Sequence, residues 1–233
     1  MITFLSFADK KYHTTLDRIK NEATSSSFFD EVKVYTENDL PEDLKIFCDS
    51  NPRGYGYWIW KAYFVYKTLT EINENDILVY CDAGCSINMN GKERFNDYIE
   101  MVKNDSCGNI SFQTGHPEKK FTKGDVFSYF NAYEHSDSGM IANCCIVLRK
   151  NEHTSNIVKL WYDTCINQRH LITDTPSVTP NDPIFFDHRH DQSIFSIIRK
   201  KYGTIFLDDE TYKLNKDGGF ETKFPIHCSR IKY

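Results

Sequence analysis

Ile77-Leu78-Val79-Tyr80-Cys81-Asp82-Ala83-Gly84-Cys85 is the stretch on which the reading turns. Four apolar residues, entered through the turn-forming Asn73-Glu74-Asn75-Asp76, suit a strand buried on both faces, as in the middle of a parallel sheet. A lone carboxylate ends the run, and Gly84 allows backbone to come close to a ligand. In open α/β sheets, ligands bind beyond the carboxyl ends of the strands, so Asp82 is the first candidate for chemistry. Its plain alternative is a turn cap, a role that Asp also favours.

Working outward, strand patterns alternate with helical ones. Residues 2–7 form an apolar run, and Leu16 and Ile19 mark a helix over residues 14–22. Val32-Lys33-Val34 centres a second strand, and Pro41 stands at the start of a helix. Residues 51–56 are rich in breakers, and a helix is predicted from 58 to 72. Phe95, Tyr98, Ile99 and Val102 share one helical face, residues 109–113 read as a strand, and residues 140–148 are apolar again. Ile157, Val158, Trp161 and Cys165 mark another helix. A last one runs from 191 to 202, stopped by Gly203 and followed by a strand over 204–207. The pattern predicts an α/β fold whose mainly parallel sheet is flanked by helices. Residues 114–138, with a short helix near 125–133, and residues 171–187 read as long irregular segments, the kind that bind something.

The 233 residues suit one domain, 1–233, whether or not further domains follow Tyr233. A net charge of −5 with scattered Lys and Arg argues against a nucleic-acid partner. Residues 1–7 are too short for a signal peptide, and no apolar run approaches the ~20 residues of a membrane helix. The expected location is therefore cytoplasmic, or the host cytoplasm for a viral protein. The eight cysteines read as reduced and mostly buried. Cys81 and Cys85, with three residues between them, fit neither the redox spacing nor a paired zinc knuckle.

Three further segments carry candidate chemistry. Ser6-Phe7-Ala8-Asp9-Lys10-Lys11-Tyr12 places an Asp and an aromatic where the first strand ends. His188-Arg189-His190-Asp191-Gln192-Ser193 opens a helix, where Asp191 or Ser193 could act only as caps. Phe224-Pro225-Ile226-His227-Cys228-Ser229-Arg230 offers His227 as a metal ligand or phosphate contact if the chain folds back over the site.

Together these segments resemble the GT-A glycosyltransferases, whose fold is Rossmann-like. The closer resemblance is to a set from bacterial polysaccharide clusters and large DNA viruses, including the chlorovirus enzymes that glycosylate the capsid protein. It rests on Gly56-Tyr57-Trp58-Ile59-Trp60-Lys61, on Asp76 through Cys85, on Thr122-Lys123-Gly124-Asp125 and on His188 through Ser193, in that order along most of the chain. Asp82-Ala83-Gly84 stands where the superfamily has Asp-X-Asp, so its second carboxylate is missing. Ala62 follows Lys61 where the set often has proline.

The resemblance implies a nucleotide-sugar donor, a UDP-sugar, and a glycan or glycoprotein acceptor. It places the base near Ala8, Asp9 and Tyr12. The diphosphate would lie near Ala83 and Gly84 on a Mn2+ or Mg2+ held by Asp82 and His227, since a hard cation steadies the departing anion. Lys61, Arg189 and His190 would contact the donor, with Asp191 and Gln192 beside the transferred sugar. Asp191 would be the base of an inverting enzyme, or with Gln192 would stabilise the oxocarbenium-like centre of a retaining one. The residues do not choose, and the closer resemblance leans to inversion. Trp58 and Trp60, two apart on a helix, would put at most one ring against the ligand. His116 and Lys123-Gly124-Asp125 lie in a loop expected to close over the donor. The rival reading is a nucleotide-sugar- or carbohydrate-binding module without catalysis, for which Gly84 is the argument.

Overall fold

Side chains along the strands alternate between two buried clusters: Leu5, Phe7, Leu78, Tyr80, Ile146 and Leu148 face one, and Phe4, Ile77, Val79, Cys81 and Val147 face the other. Period-two alternation with both faces apolar means a sheet covered on both sides. The computed structural model describes residues 1–232. Its elements are β1 (Ile2–Phe7), α1 (His13–Ser26), β2 (Glu31–Tyr35), α2 (Glu42–Ser50), α3 (Gly54–Tyr57), α4 (Ile59–Glu71), β3 (Ile77–Cys81), β4 (Ser86–Ile87), α5 (Lys92–Asn104), β5 (Asn109–Pro117), α6 (Glu118–Phe121), α7 (Gly124–Phe130), β6 (Gly139–Ile141), β7 (Cys145–Arg149), α8 (Glu152–Asn167), α9 (Arg169–Ile172), α10 (Asp191–Tyr202), β8 (Ile205–Asp208) and β9 (Ile226–His227). No helix among the described residues is long and apolar enough to cross a membrane.

The main sheet has the order β2-β1-β3-β7-β5-β6, with β8 also paired to β5. β1, β2, β3, β5 and β8 run one way, while β6 and β7 oppose them, so the sheet is mainly parallel. Helices α2, α4, α8 and α10 cover the first cluster, and α1 and α5 the second. A separate two-stranded sheet pairs β4 with β9, Ser86 opposite His227.

Two segments differ from the sequence expectation. Residues 114–138 are not an open loop: β5 continues to Pro117 because β6 pairs with it, Gln113 opposite Ile141 and Pro117 opposite Gly139. The motif Thr122-Lys123-Gly124-Asp125 is then an anchor. Lys123 Nζ donates to the carbonyls of His170, Thr173 and Thr175, and Asp125 accepts from the amides of Val178 (3.0 Å) and Thr179 (2.7 Å). A Cβ on Gly124 would stand 2.5 Å from Pro180 O, so the fastening itself requires glycine. The motif fixes the proline-rich segment.

The second difference is at the start of α4. Gly54, Tyr55, Gly56, Tyr57 and Trp58 all have positive φ, so α3 is a left-handed turn and the right-handed helix begins only at Ile59. Close packing imposes this path: a Cβ on Gly54 would enter the Trp58 ring at 2.3 Å, and one on Gly56 would meet Cys48 Sγ at 2.5 Å. Three non-glycine residues in that region store of order 1–3 kcal/mol each.

Candidate functional site

The sheet order reverses between β1 and β3: the chain leaves β1 for the outer strand β2, then returns to the other side of β1 as β3. A crevice opens beyond the carboxyl ends of strands at such a point. Here it is a cavity of about 730 Å3. Ala8, Asp9 and Tyr12 form the wall beyond β1; Asp82, Ala83, Gly84 and Cys85 form the wall beyond β3. Tyr55, Trp58 and Trp60 line it from the left-handed turn and α4. Cys228, Arg230 and Lys232 close it from the far end of the described chain.

The turn after β3 is held on both sides. Asp82 N donates to Cys144 O (2.8 Å) and Cys85 N to Asp82 O (2.8 Å). Arg18 Nη2 donates to the carbonyls of Ala83 (2.7 Å) and Cys85 (2.6 Å) from α1. Ile231 N donates to Gly84 O (3.0 Å), and a Cβ on Gly84 would stand 3.3 Å from Ile231 O, so the position favours the smallest residue.

From this turn a file of alternating charges runs into the core. Asp82 Oδ1 accepts from Lys61 Nζ (2.9 Å) and Tyr80 OH (2.6 Å). Lys61 Nζ also donates to Asn143 O (3.1 Å) and lies 3.7 Å from Asp191 Oδ2, which accepts from Asn143 Nδ2 (2.7 Å). Arg199 Nη2 in turn donates to Asn143 Oδ1 (3.1 Å). Only Asp82 meets solvent: its side chain is 35% exposed, against 4% for both Lys61 and Asp191. Burial pushes Asp191 up to about 6 against the pull of Lys61 and Asn143. Burial raises Asp82 too, with Lys61 opposing. Lys61 shows the reverse balance: burial lowers its ammonium, but Asp82 and Asp191 outweigh that and hold it up. Arg199, buried deepest, is pulled down by burial to about 9.

The expected site residues divide into two groups. Ala8, Asp9, Tyr12, Asp82, Ala83 and Gly84 share the cavity wall, with Lys61 bonded to Asp82 behind it. Asp191 lies off the wall, at the first turn of α10, where Trp161 Nε1 donates to its carbonyl (3.1 Å). Ser193, the other residue of that turn, takes Arg189 N (3.1 Å) and donates to Phe121 O (2.8 Å), whereas the Asp191 carboxylate turns to Lys61 and Asn143. Gln192 Nε2 donates to Ile141 O (2.9 Å). Arg189 is not on the wall: its guanidinium lies over the Phe121 ring, 4.8 Å from the centroid, and 3.9 Å from Asp187. His188 and His190 donate to the carbonyls of Leu171 (2.8 Å) and Ile172 (2.7 Å), and burial pulls both rings down. His190 also stacks on Trp58 at 5.4 Å, backing a ring that lines the cavity.

His227 is not brought to Asp82. Its Nε2 donates to Glu221 O (3.1 Å), its ring stacks on Phe220 at 4.7 Å, and it is not among the residues that line the cavity. Cys228 takes the wall position instead. Asp82 Oδ2, which no described residue bonds, is thus the hard ligand atom that the turn after β3 offers a cation. One oxygen is too few for an all-protein Mg2+ or Mn2+ cage, but it suits an ion that keeps waters and arrives with substrate phosphates. Both Trp58 and Trp60 line the cavity, since Trp58 lies outside the right-handed helix and the helical spacing argument does not reach it.

No protein-family model matches the sequence, and no curated protein does. Among solved structures, a glycosyltransferase involved in the glycosylation of the major capsid of PBCV-1 aligns over 97% of this chain and 91% of its own, with a TM-score of 0.54 and 11% identity. An active-site mutant of LgtC aligns over 99% and 88%, with a TM-score of 0.50 and 10% identity. The fold is GT-A. In GT-A terms, the cavity lies at the β1/β3 reversal of the Rossmann-like half, and the file of charges enters the sheet from its floor.

Proposed function

We propose that this chain is a glycosyltransferase that binds a nucleotide-sugar, a UDP-sugar by the sequence resemblance, in the cavity at the β1/β3 reversal and passes the sugar to a glycan or glycoprotein acceptor. The observation that carries the reading is the meeting, on one wall, of the β1-end segment Ala8-Asp9 and the β3-end segment Asp82-Ala83-Gly84, with Lys61 bonded beneath.

Tyr12, Tyr55 and Trp58 offer flat faces to a base or sugar ring, and Asp9 an acceptor for base or ribose donors. Lys11, Arg230 and Lys232 are the wall cations available to the diphosphate. Arg189, expected in that role, is engaged elsewhere. The floor turns the Asp82 carboxylate, the solvent-facing charge of the file, toward the cavity, and that carboxylate repels a diphosphate. A Mg2+ or Mn2+ carried in by the diphosphate, with Asp82 Oδ2 as its protein ligand, would neutralise both sides and stabilise the leaving anion. Lys61, itself buried, fixes the Asp82 carboxylate at the floor of the cavity, so that its charge is preset before the ligand arrives. Asp191 works through Lys61 as a positioning residue. To meet an acceptor hydroxyl as the inverting base, it would have to leave Lys61 and Asn143.

The test is a thermal-shift screen of nucleotide-sugars with Mn2+, followed by assay of nucleotide release with and without glycan acceptors. A UDP-sugar should raise the melting temperature and turn over, and Asp82→Ala should abolish the Mn2+-dependent part of the shift. Stabilisation by no nucleotide would overturn the reading. Binding without turnover across several acceptors would establish the non-catalytic module instead.

A further inference from the structure

Three cysteines far apart in sequence converge beside the cavity. Cys85 follows the turn after β3, Cys144 precedes β7, and Cys228 follows β9. Their sulfurs all lie within 4.8 Å of one another. Each is held by its backbone. Cys85 O accepts from Arg18 Nη2 (2.6 Å), Cys144 O from Asp82 N (2.8 Å), and Cys228 N donates to Thr211 O (2.7 Å). Cys85 and Cys228 line the cavity, so the cluster is reachable from solvent. Cys81 and Cys145, opposite each other on β3 and β7, are fully buried and stand apart from it.

A Zn–S bond of ~2.3 Å in a tetrahedral site sets sulfurs ~3.8 Å apart, so separations below 4.8 Å need only a small contraction to grip one ion. Three thiolates select a soft or borderline d10 ion over Mg2+ or Mn2+, and three protein ligands leave a fourth position for water or a ligand oxygen. We propose that Cys85, Cys144 and Cys228 form a three-thiolate site for a single thiophilic ion of the Zn2+ class, on the wall of the cavity. Binding forms three sulfur–metal bonds and releases the thiol protons to solvent. This site is separate from Asp82 Oδ2: its donors are soft where that one is hard, and it needs no nucleotide.

The experiment titrates the reduced full chain with Co2+ under anaerobic conditions, without any nucleotide-sugar, so that its outcome is independent of glycosyl transfer. Expected are thiolate-to-Co2+ charge-transfer absorption with tetrahedral d–d bands, saturation at one equivalent, and displacement by one equivalent of Zn2+. Cys144→Ser and Cys228→Ser should each remove the charge-transfer band or cut its intensity by a third or more. Cys228→His, which keeps a ligand, should retain tetrahedral binding, and Cys107→Ser should change nothing. Absence of thiolate bands, or bands indifferent to both Cys144→Ser and Cys228→Ser, would overturn the site. So would reduced protein that takes up no Co2+ but, once oxidised in air, loses two mass units through a disulfide within the trio.

Discussion

At Lys61 one ammonium serves two carboxylates, so its removal leaves Asp191 as an unpaired anion in the core and Asp82 without its partner at the cavity surface. Breaking a buried pair from one side costs about 3–5 kcal/mol, so Lys61→Met should lower the stability measured by urea unfolding by that order. Asp191 offers a cleaner handle. Burial raises its folded-state pKa from 3.8 to about 6, so the folded protein holds a proton there that the unfolded chain has lost. The associated stability is present below about pH 4 and is lost as pH rises through about 6, where the buried carboxyl must ionise. Asp191→Asn should flatten that decline between pH 4 and 6, read from unfolding free energies at several pH values. An unchanged slope would place the proton elsewhere. At this scale the sequence was legible where a polar residue follows a strand end, as at Asp9 and Asp82, both of which line the cavity. It was illegible where pairing is made through space: neither Asn143 nor Arg18 carries a local signal, and nothing local says that His227 ends a two-residue strand while Cys228, just after it, reaches the cavity wall.

The left-handed turn before α4 delivers Tyr55 and Trp58 to the cavity. Gly56→Ala would set a methyl 2.9 Å from the Cys48 backbone as well as 2.5 Å from its sulfur, at a φ of 81° that alanine resists. The expected loss is about 1–3 kcal/mol, with a weaker nucleotide-induced thermal shift as the two rings move. Full retention of that shift would show that the turn does not shape the site. Apolar periodicity disclosed β3, α5 and α10 because their burial repeats locally. It missed the turn, since a Gly-Tyr-Gly-Tyr-Trp run states that breakers are present but not which way the chain coils. It also missed that residues 114–138 are fastened, because β6 pairs with β5 across more than twenty residues and Lys123 bonds carbonyls of a different segment.

Over the whole molecule, alternation of strand and helix predicted the mainly parallel sheet that is found, without saying which strands would oppose the rest. The antiparallel entries of β6 and β7 come from pairings that no local pattern marks. The single free oxygen of Asp82 makes a prediction of the same reach. Mn2+ alone should bind the hard site weakly, UDP should strengthen it, and Mn2+ should strengthen UDP by the same factor, as linkage demands. Calorimetry of each ligand with and without the other checks this, and an interaction factor of one would remove the ion from the donor site. Finally, one cavity wall belongs to residues 228–232, held against the turn after β3 by a two-residue ladder and the Ile231–Gly84 bond. Such a short ladder can detach while the seven-stranded sheet stays intact. For the proposed donor, affinity would then be scaled by the fraction of molecules with that segment docked, and substitutions along β4 and β9 would tune binding without touching the ligand.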